Sequence, residues 1–183
     1  MKVKDCMLLA AELLGIRAEV DANLSGSTSI GVTETEKLLH CFNLVENELA
    51  LDYLPLLAED ELETDTGAVL FSEFAHSPVR IVKVLDGNGE TLDFTLFPEF
   101  LKTAAGKIKV RYTYAPKTKE VDGESDFTLG VSERLIALGM VSEYSISVGL
   151  YEEASVWEKK YKDAIAAAYK TKGAKRIQSR RWV

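Results

Sequence analysis

The stretch KIKVRYTYA, residues 107–115, decides the fold class of this chain. Apolar and polar side chains alternate along it without a break. The apolar positions are Ile108, Val110, Tyr112 and Tyr114, and the polar positions are Lys107, Lys109, Arg111 and Thr113. A period of two residues places the two sets on opposite faces of a β-strand. The stretch therefore predicts a strand with one face against a core and the other in water.

Other segments nearby predict partners for this strand. The sequence PVRIVKVLDGNGETLDFTLFP predicts two strands, Val79–Leu85 and Glu90–Phe97, joined by DGNG, because Gly and Asn tolerate the positive φ angles of a tight hairpin. Weaker patterns predict strands at Leu56–Leu62 and Ala68–Phe74. Together these segments predict one small antiparallel sheet of four or five strands.

The acidic run AEDELETD, residues 58–65, allows two interpretations. Its carboxylates could hold a divalent ion, but the run lacks a fixed ligand geometry. Charged side chains also protect the edge of a sheet from pairing with another chain. We therefore interpret the run as a solvated edge strand.

Two helices are predicted before the sheet. Met7, Ala11 and Leu14 recur at helical spacing, with Asp5 near the start and Gly15 near the end. The sequence DANLSGSTSIG, residues 21–31, then predicts a loop, since its short polar side chains compete with helical hydrogen bonds. Thr33 and Glu36 have the spacing of a capping box, which predicts a second helix from there to Leu54. Pro55 disfavours any continuation.

Two more helices are predicted after a connector, APKTKEVDGESDF. Residues 129–150 carry few charges and a stripe of small residues, which indicates a helix buried in the core or in a subunit contact. The candidate oligomer-contact residues are Gly139, Ser142 and Ile146. Residues 151–172 form an amphipathic pattern that ends near Gly173 and predicts an antiparallel helix pair.

The predicted fold class is α+β: a four-helix bundle, a small antiparallel β-sheet inserted between the second and third helices, and a basic C-terminal arm. The predicted divisions are the N-terminal helices of the bundle at 1–54, the β insertion at 55–118, the C-terminal helical hairpin at 119–172 and the arm at 173–183.

Charge is distributed unevenly along the chain. The net charge is −7, yet the last twelve residues, KGAKRIQSRRWV, hold five bases and no acid, which leaves −12 on residues 1–171. An acidic body disfavours broad binding to nucleic acid, because neutralising phosphates needs a basic face. A solubilising terminus is one interpretation of this arm. Arg and Trp are common at binding hot spots, so we instead expect the arm to dock on a protein surface that is acidic and has an apolar pocket. The candidate partner-binding residues are Lys175, Arg176, Ile177, Arg180, Arg181, Trp182 and Val183.

No motif in the sequence predicts catalysis, a metal site or a cofactor. There is no GxSxG elbow and no glycine-rich phosphate loop after a strand. Cys6 and Cys41 belong to no CxxC pair and are expected to be buried free thiols. His76, beside a serine, fits a turn better than a catalytic dyad. No apolar run reaches the roughly 20 residues of a membrane span, and acids interrupt the first apolar segment, so we expect an intracellular protein.

Two stretches resemble the head–tail connector, or adaptor, proteins of tailed bacteriophages. They are LLHCFNLVENELALDYLPL at 38–56 and SERLIALGMVSEYSISVGLYEEASVWEKKYKDAI at 132–165. The segment GLYEEASVWEKKYKDA within the second stretch is similar to the closing helical hairpin of that family. The order of helices around a β insertion is similar to the adaptor, or tail tubular protein A, of short-tailed phages.

The resemblance implies a non-catalytic structural protein that forms a ring, usually dodecameric, below the portal in the neck of the virion after synthesis in the host cytoplasm. The implied partners are the portal protein, neighbouring copies in the ring and a tail or nozzle protein, with DNA passing through the channel without specific binding. In that family the C-terminal segment often grips the portal. The alternatives are another neck or tail-completion ring protein, and a small intracellular enzyme or regulator that uses His76, Asp86 and the acidic strand.

Overall fold

The computed structural model describes residues 1–172, with side chains through Ala168. The helices are α1 (Val3–Leu14), α2 (Arg17–Leu24), α3 (Val32–Glu48), α4 (Glu133–Ser147) and α5 (Tyr151–Lys172). The strands are β1 (Leu56–Thr64), β2 (Ala68–Leu70), β3 (Pro78–Asp86), β4 (Thr91–Leu92), β5 (Thr95–Leu96), β6 (Phe100–Lys102) and β7 (Gly106–Tyr114).

The chain divides into two compact units. The helical unit contains Met1–Glu46 and the chain from Thr118 onward, and the β unit is Asn47–Lys117. The β unit therefore interrupts the sequence of the helical unit between α3 and α4.

The predicted fold class, a four-helix bundle with one small sheet, is wrong. The part of the chain that the structure describes contains five α-helices and two antiparallel sheets. The additional helix, α2, overlaps the stretch that was expected to be a loop. Val20 is fully buried and anchors α2, while the hydroxyl groups of Ser25 and Ser27 both donate to the Ala22 carbonyl at its end. The polar residues thus end a short helix instead of excluding one.

The chain leaves the four-stranded sheet twice, first for β2 and again for β5 and β6, and these three strands form the second sheet. One sheet has the order β1-β7-β3-β4 and the other has the order β2-β6-β5. The expected strand Glu90–Phe97 is split: β4 pairs with β3, whereas β5 pairs with β6. Phe94 lies between the two short strands and packs on the core of the β unit. The expected strand Ala68–Phe74 ends at Leu70, and a 3₁₀ turn follows.

The core of the helical unit is organised around α4, which packs against α1 and α5. Ser132 caps α4 by accepting a hydrogen bond from the Leu135 N–H at 3.2 Å. A Cβ atom on Gly139 would lie 2.8 Å from a methyl of Val45 on α3 and 2.9 Å from the ring of Tyr161 on α5. The glycine therefore lets three helices meet closely, and the predicted burial of this helix is confirmed.

The core of the β unit lies on one face of β7, as its alternation predicted. β7 pairs along its length with β1 and also pairs with β3, both antiparallel. Tyr112 is fully buried there. Its hydroxyl donates to the Asp60 carboxylate at 2.8 Å and accepts the His76 N–H at 3.2 Å. Phe74 meets the Tyr112 ring edge-on, with 5.0 Å between centroids.

Candidate interaction surfaces

The residues of the enzyme alternative, His76 and Asp86, make contacts within the β unit. The ring of His76 stacks on Tyr114 with 4.1 Å between centroids. Asp86 accepts hydrogen bonds from the backbone N–H groups of Glu90 and Asn88 within the DGNG turn, and these bonds lower the pKa of its carboxyl. Within residues 1–172, no group of three or more His, Cys, Asp and Glu side chains is arranged to hold a metal ion.

The two thiols are free and buried, as expected from the sequence. Burial raises the pKa of both Cys6 and Cys41 to about 12. A thiol with so high a pKa carries almost no thiolate at neutral pH and is a poor nucleophile. Both cysteines therefore act as small core residues.

Among the helices that the structure describes, none is both long enough and apolar enough to cross a membrane.

The three candidate oligomer-contact residues on α4 lie in different surroundings. Gly139 is enclosed by α3 and α5, and the Ser142 hydroxyl donates to the Ala154 carbonyl on α5 at 3.3 Å. These two small residues are used within one copy of the chain. Ile146 is 45% exposed and is available to another molecule.

Ile146 belongs to an exposed apolar cluster at the turn between α4 and α5. We call this cluster the apolar knob; its residues are Ile146, Val148, Leu150 and Tyr151. Tyr151 is 71% exposed. Gly149 turns the chain with a φ of 81°, and the Leu150 N–H donates to the Ser145 carbonyl at 2.8 Å. Clustered apolar side chains on a surface are typical of interaction sites.

A second exposed surface is the face of the four-stranded sheet that points away from the β-unit core. On β1 this face carries an exposed row that we call the acid stripe: Leu57, Glu59, Glu61 and Glu63. Arg111 and Lys109 on β7 form ion pairs with Glu59 at 2.7 Å and Glu61 at 2.6 Å. β1 is at the edge of its sheet, which confirms the interpretation of the acidic run as a solvated edge strand.

Two irregularities in β3 shape the other side of this face. The register with β7 shifts between Pro78 and Arg80 and again between Ile81 and Lys83. Each shift leaves one valine of β3 without a partner in β7. The residues exposed or half-exposed beside the shifts, which we call the basic stripe, are Val79, Arg80, Val82 and Lys83. Val79 is 54% exposed and Val82 is 49% exposed.

The sequence analysis did not identify the basic stripe. The stretch VRIVKV was interpreted as a regular strand, in which alternation would turn every second residue inward. A β-bulge adds a residue to one strand and breaks that alternation. The signal in the sequence was a break in the alternation: Arg80 and Lys83 are three residues apart, and two apolar residues, Ile81 and Val82, lie between them.

A further polar cluster fastens the connector that follows the β unit. The Asn43 side chain accepts the Lys119 N–H at 2.6 Å and donates to the Lys119 carbonyl at 3.1 Å. Glu46 is fully buried and accepts the Asp126 N–H at 2.9 Å. Burial raises the pKa of Glu46, while the hydrogen bond from Asp126 and the charge of Lys119 act in the opposite direction. The cluster joins α3 to the connector within the helical unit.

The candidate residues of the C-terminal arm, Lys175 to Val183, lie outside the described residues. No protein-family model matches the chain, and no curated protein matches it.

Proposed function

We propose that this chain is a structural head-to-tail adaptor of a tailed bacteriophage, which forms a ring below the portal, joins the capsid to the tail and lines the DNA channel. The observation that carries the proposal is the apolar knob. It exposes four large apolar side chains within the segment 132–165 that resembles the closing helices of the adaptor family. A surface of this kind is stabilised when another protein covers it.

The polar groups of the chain are consistent with a structural role. His76 and Asp86, the residues of the enzyme alternative, are engaged in ring stacking and in a turn. The buried Glu46 accepts a backbone hydrogen bond that holds the connector. These groups make contacts within the fold, so the proposal is based on the exposed surfaces of the described residues.

The charge distribution supports contacts with protein and weak contact with DNA. The net charge of residues 1–171 is −12, and an acidic channel wall repels passing DNA. The arm at 173–183 is basic and ends with Trp182 and Val183. In this proposal the arm docks on an acidic surface with an apolar pocket, on the portal or on a neighbouring subunit.

The test is a mass measurement of the purified protein in solution, followed by electron microscopy with the portal. We expect a ring that attaches to the portal. A persistent monomer that ignores portals would overturn the proposal. A ring that ignores the portal but binds another ring would instead assign the chain to a lower neck or tail-completion layer.

A deletion of residues 173–183 tests the arm separately. Because charge attraction between exposed groups weakens as salt screens it, portal attachment of the full chain should decrease as salt rises. The deleted protein should attach weakly at every salt concentration. Equal attachment of the deleted and full-length proteins would refute the docking role of the arm.

A further inference from the structure

An open apolar groove lies in the helical unit, where α4 begins and α5 approaches its end. The volume of this groove is about 470 Å³. The apolar knob is at the turn between the two helices, so the groove is a separate surface at the opposite end of the α4–α5 pair. The lining residues are uncharged and include Val131, Ser132, Leu135, Ala164, Ala167 and Ala168.

The groove forms because α5 is longer than α4. α4 has 15 residues and α5 has 22. Gly139 on α4 meets Tyr161 on α5, and Ser142 on α4 bonds to Ala154 on α5, so the two helices run antiparallel. The same register places the first residues of α4 beside Ala168 and leaves the last turn of α5 beyond them. The apolar face of α5 therefore loses its α4 partner where its side chains are small.

A large apolar side chain lies exposed beside this groove. Leu129 precedes the lining residue Gly130 and is 81% exposed, the largest exposed fraction among the large apolar side chains of residues 1–168. Covering apolar surface that would otherwise contact water is favourable. A leucine next to an apolar groove is therefore typical of a surface that binds an apolar segment.

The C-terminal arm is a segment of suitable chemistry and length. Residues 173–183 follow the end of α5 directly and contain Ile177 and Trp182. From Ala164 to Lys172 the helix rises about 12 Å, whereas eleven residues of extended chain reach up to about 36 Å. Gly173 is the residue type that best allows a chain to change direction at the end of a helix. The arm is therefore long enough to turn back over the groove of its own copy.

The charges beside the groove complement those of the arm. Glu133 follows the lining residue Ser132, and Asp163 precedes the lining residue Ala164. Both acids are exposed, and neither forms an ion pair within the part of the chain that the structure describes. The arm carries four bases and no acid. Arg134 is also at this end of α4, so the net attraction is modest and the apolar contact contributes most of the affinity.

We propose that the groove binds the C-terminal arm of the same copy, with the indole of Trp182 seated on the alanines of α5. The arm begins one helical turn beyond Ala168, and a segment tethered by so short a linker has an effective concentration in the millimolar range. An arm with a Kd of only about 0.1 mM for a separate groove would then be docked in roughly nine copies out of ten. Docking within one copy is therefore favoured over docking on another.

This contact goes beyond the proposed function, because it concerns the free chain and requires neither a ring nor a portal. Within a phage neck, a partner that binds the arm would first displace it from the groove. The groove would thus keep Trp182 covered until that partner is present.

The test follows the fluorescence of Trp182 in the chain of residues 1–183. Trp157→Phe leaves Trp182 as the only tryptophan. In this protein, Ala167→Arg fills the groove with a bulky cation and should raise the acrylamide quenching constant of Trp182 at least about threefold. Ala166→Arg is the matched control, since Ala166 is also exposed on α5 but does not line the groove, and it should leave the constant unchanged.

A second variant tests the rim of the groove. Leu129→Ser removes the exposed leucine and should also raise the quenching constant, without lowering the melting temperature. Thermal melting of every variant confirms folding. Because the contact is within one copy, the quenching constant of the starting protein should not change on dilution.

Three results would overturn the contact. They are a Trp182 as open to acrylamide in the starting protein as in Ala167→Arg, equal effects of Ala166→Arg and Ala167→Arg, and exposure of Trp182 on dilution, which would place the arm on another copy. Portal attachment, measured separately, distinguishes this contact from the proposed function. An exposed Trp182 in a chain that still attaches to the portal leaves the proposed function standing. A protected Trp182 in a persistent monomer that ignores portals keeps the groove contact and refutes the adaptor.

Discussion

Replacing Tyr112 by Phe tests the polar contact inside the β unit. The substitution removes a buried hydroxyl group that donates to Asp60 at 2.8 Å and accepts the His76 N–H at 3.2 Å. A hydrogen bond to a carboxylate contributes about 1.5–3 kcal/mol and a neutral one about 1 kcal/mol. Asp60 keeps the hydrogen bond from the Ala75 N–H and remains partly hydrated. We therefore expect Tyr112→Phe to lower the free energy of unfolding by about 2 kcal/mol.

The loss is measured by urea denaturation and by hydrogen exchange. The slope of the free energy against urea should not change, because the surface exposed on unfolding is nearly the same. Amides of β7 that exchange by unfolding of the β unit should exchange about 30-fold faster. Tyr151→Phe is the matched control, since Tyr151 is exposed, and it should change stability by less than about 0.5 kcal/mol. If Tyr112→Phe lowered the free energy of unfolding by less than about 0.5 kcal/mol, the hydroxyl group of Tyr112 would not have the stabilising role described here.

The stability difference between wild type and Tyr112→Phe should also depend on pH. Burial, together with the hydrogen bond to Asp60, raises the pKa of Tyr112 to about 12 from its ordinary value of 10.0. The unfolded chain therefore ionises this tyrosine at a lower pH than the folded chain does. Its contribution to stability is fully present below pH 10 and decreases from there toward pH 12. The difference in the free energy of unfolding between wild type and Tyr112→Phe should decrease from pH 10 to pH 12. A difference that stays constant over this range would contradict the raised pKa of Tyr112.

Three further substitutions test other parts of the molecule. Gly139→Val should lower the free energy of unfolding by about 3 kcal/mol in urea denaturation, because its side chain would overlap α3 and α5; an unchanged midpoint would contradict this packing. Glu46→Gln should raise the free energy of unfolding at pH 7, since it keeps an acceptor for the Asp126 N–H without a buried charge. This increase should disappear as the pH falls to the ordinary Glu pKa of 4.5, where wild-type Glu46 is protonated. An increase in stability that grew toward low pH would contradict the raised pKa of Glu46. The double substitution Ile146→Ser and Tyr151→Ser should weaken ring assembly in solution without lowering the melting temperature. A variant with a lower melting temperature but normal assembly would show that the apolar knob stabilises the fold instead.

The long regular elements were predictable from the sequence because many residues repeat one pattern. Apolar and polar residues alternate without a break from Lys107 to Tyr114, and the structure contains that strand. Gly15 was predicted near the end of the first helix, and it ends α1 with a φ of 76°. The DGNG turn likewise joins two paired strands. In each case a local rule and the tertiary packing agree.

The errors arose where tertiary packing overrides a local pattern. α2 has eight residues, and burial of Val20 outweighs the loop preference of its second half. β4 and β5 have two residues each, too few to show any alternation, so the second sheet was missed. The bulges in β3 depend on pairing with β7, which a single strand does not reveal. The charged edge strand was predictable because five acids lie within residues 58–65, whereas the basic stripe depends on those bulges.

The most direct test of the proposed adaptor function is the mass of the purified chain of residues 1–183, measured alone and after mixing with a portal protein of a tailed phage. We expect a closed ring of identical copies, whose mass increases when the portal is added. A chain that remains monomeric at assembly concentrations, and whose mass does not change with the portal, would contradict it.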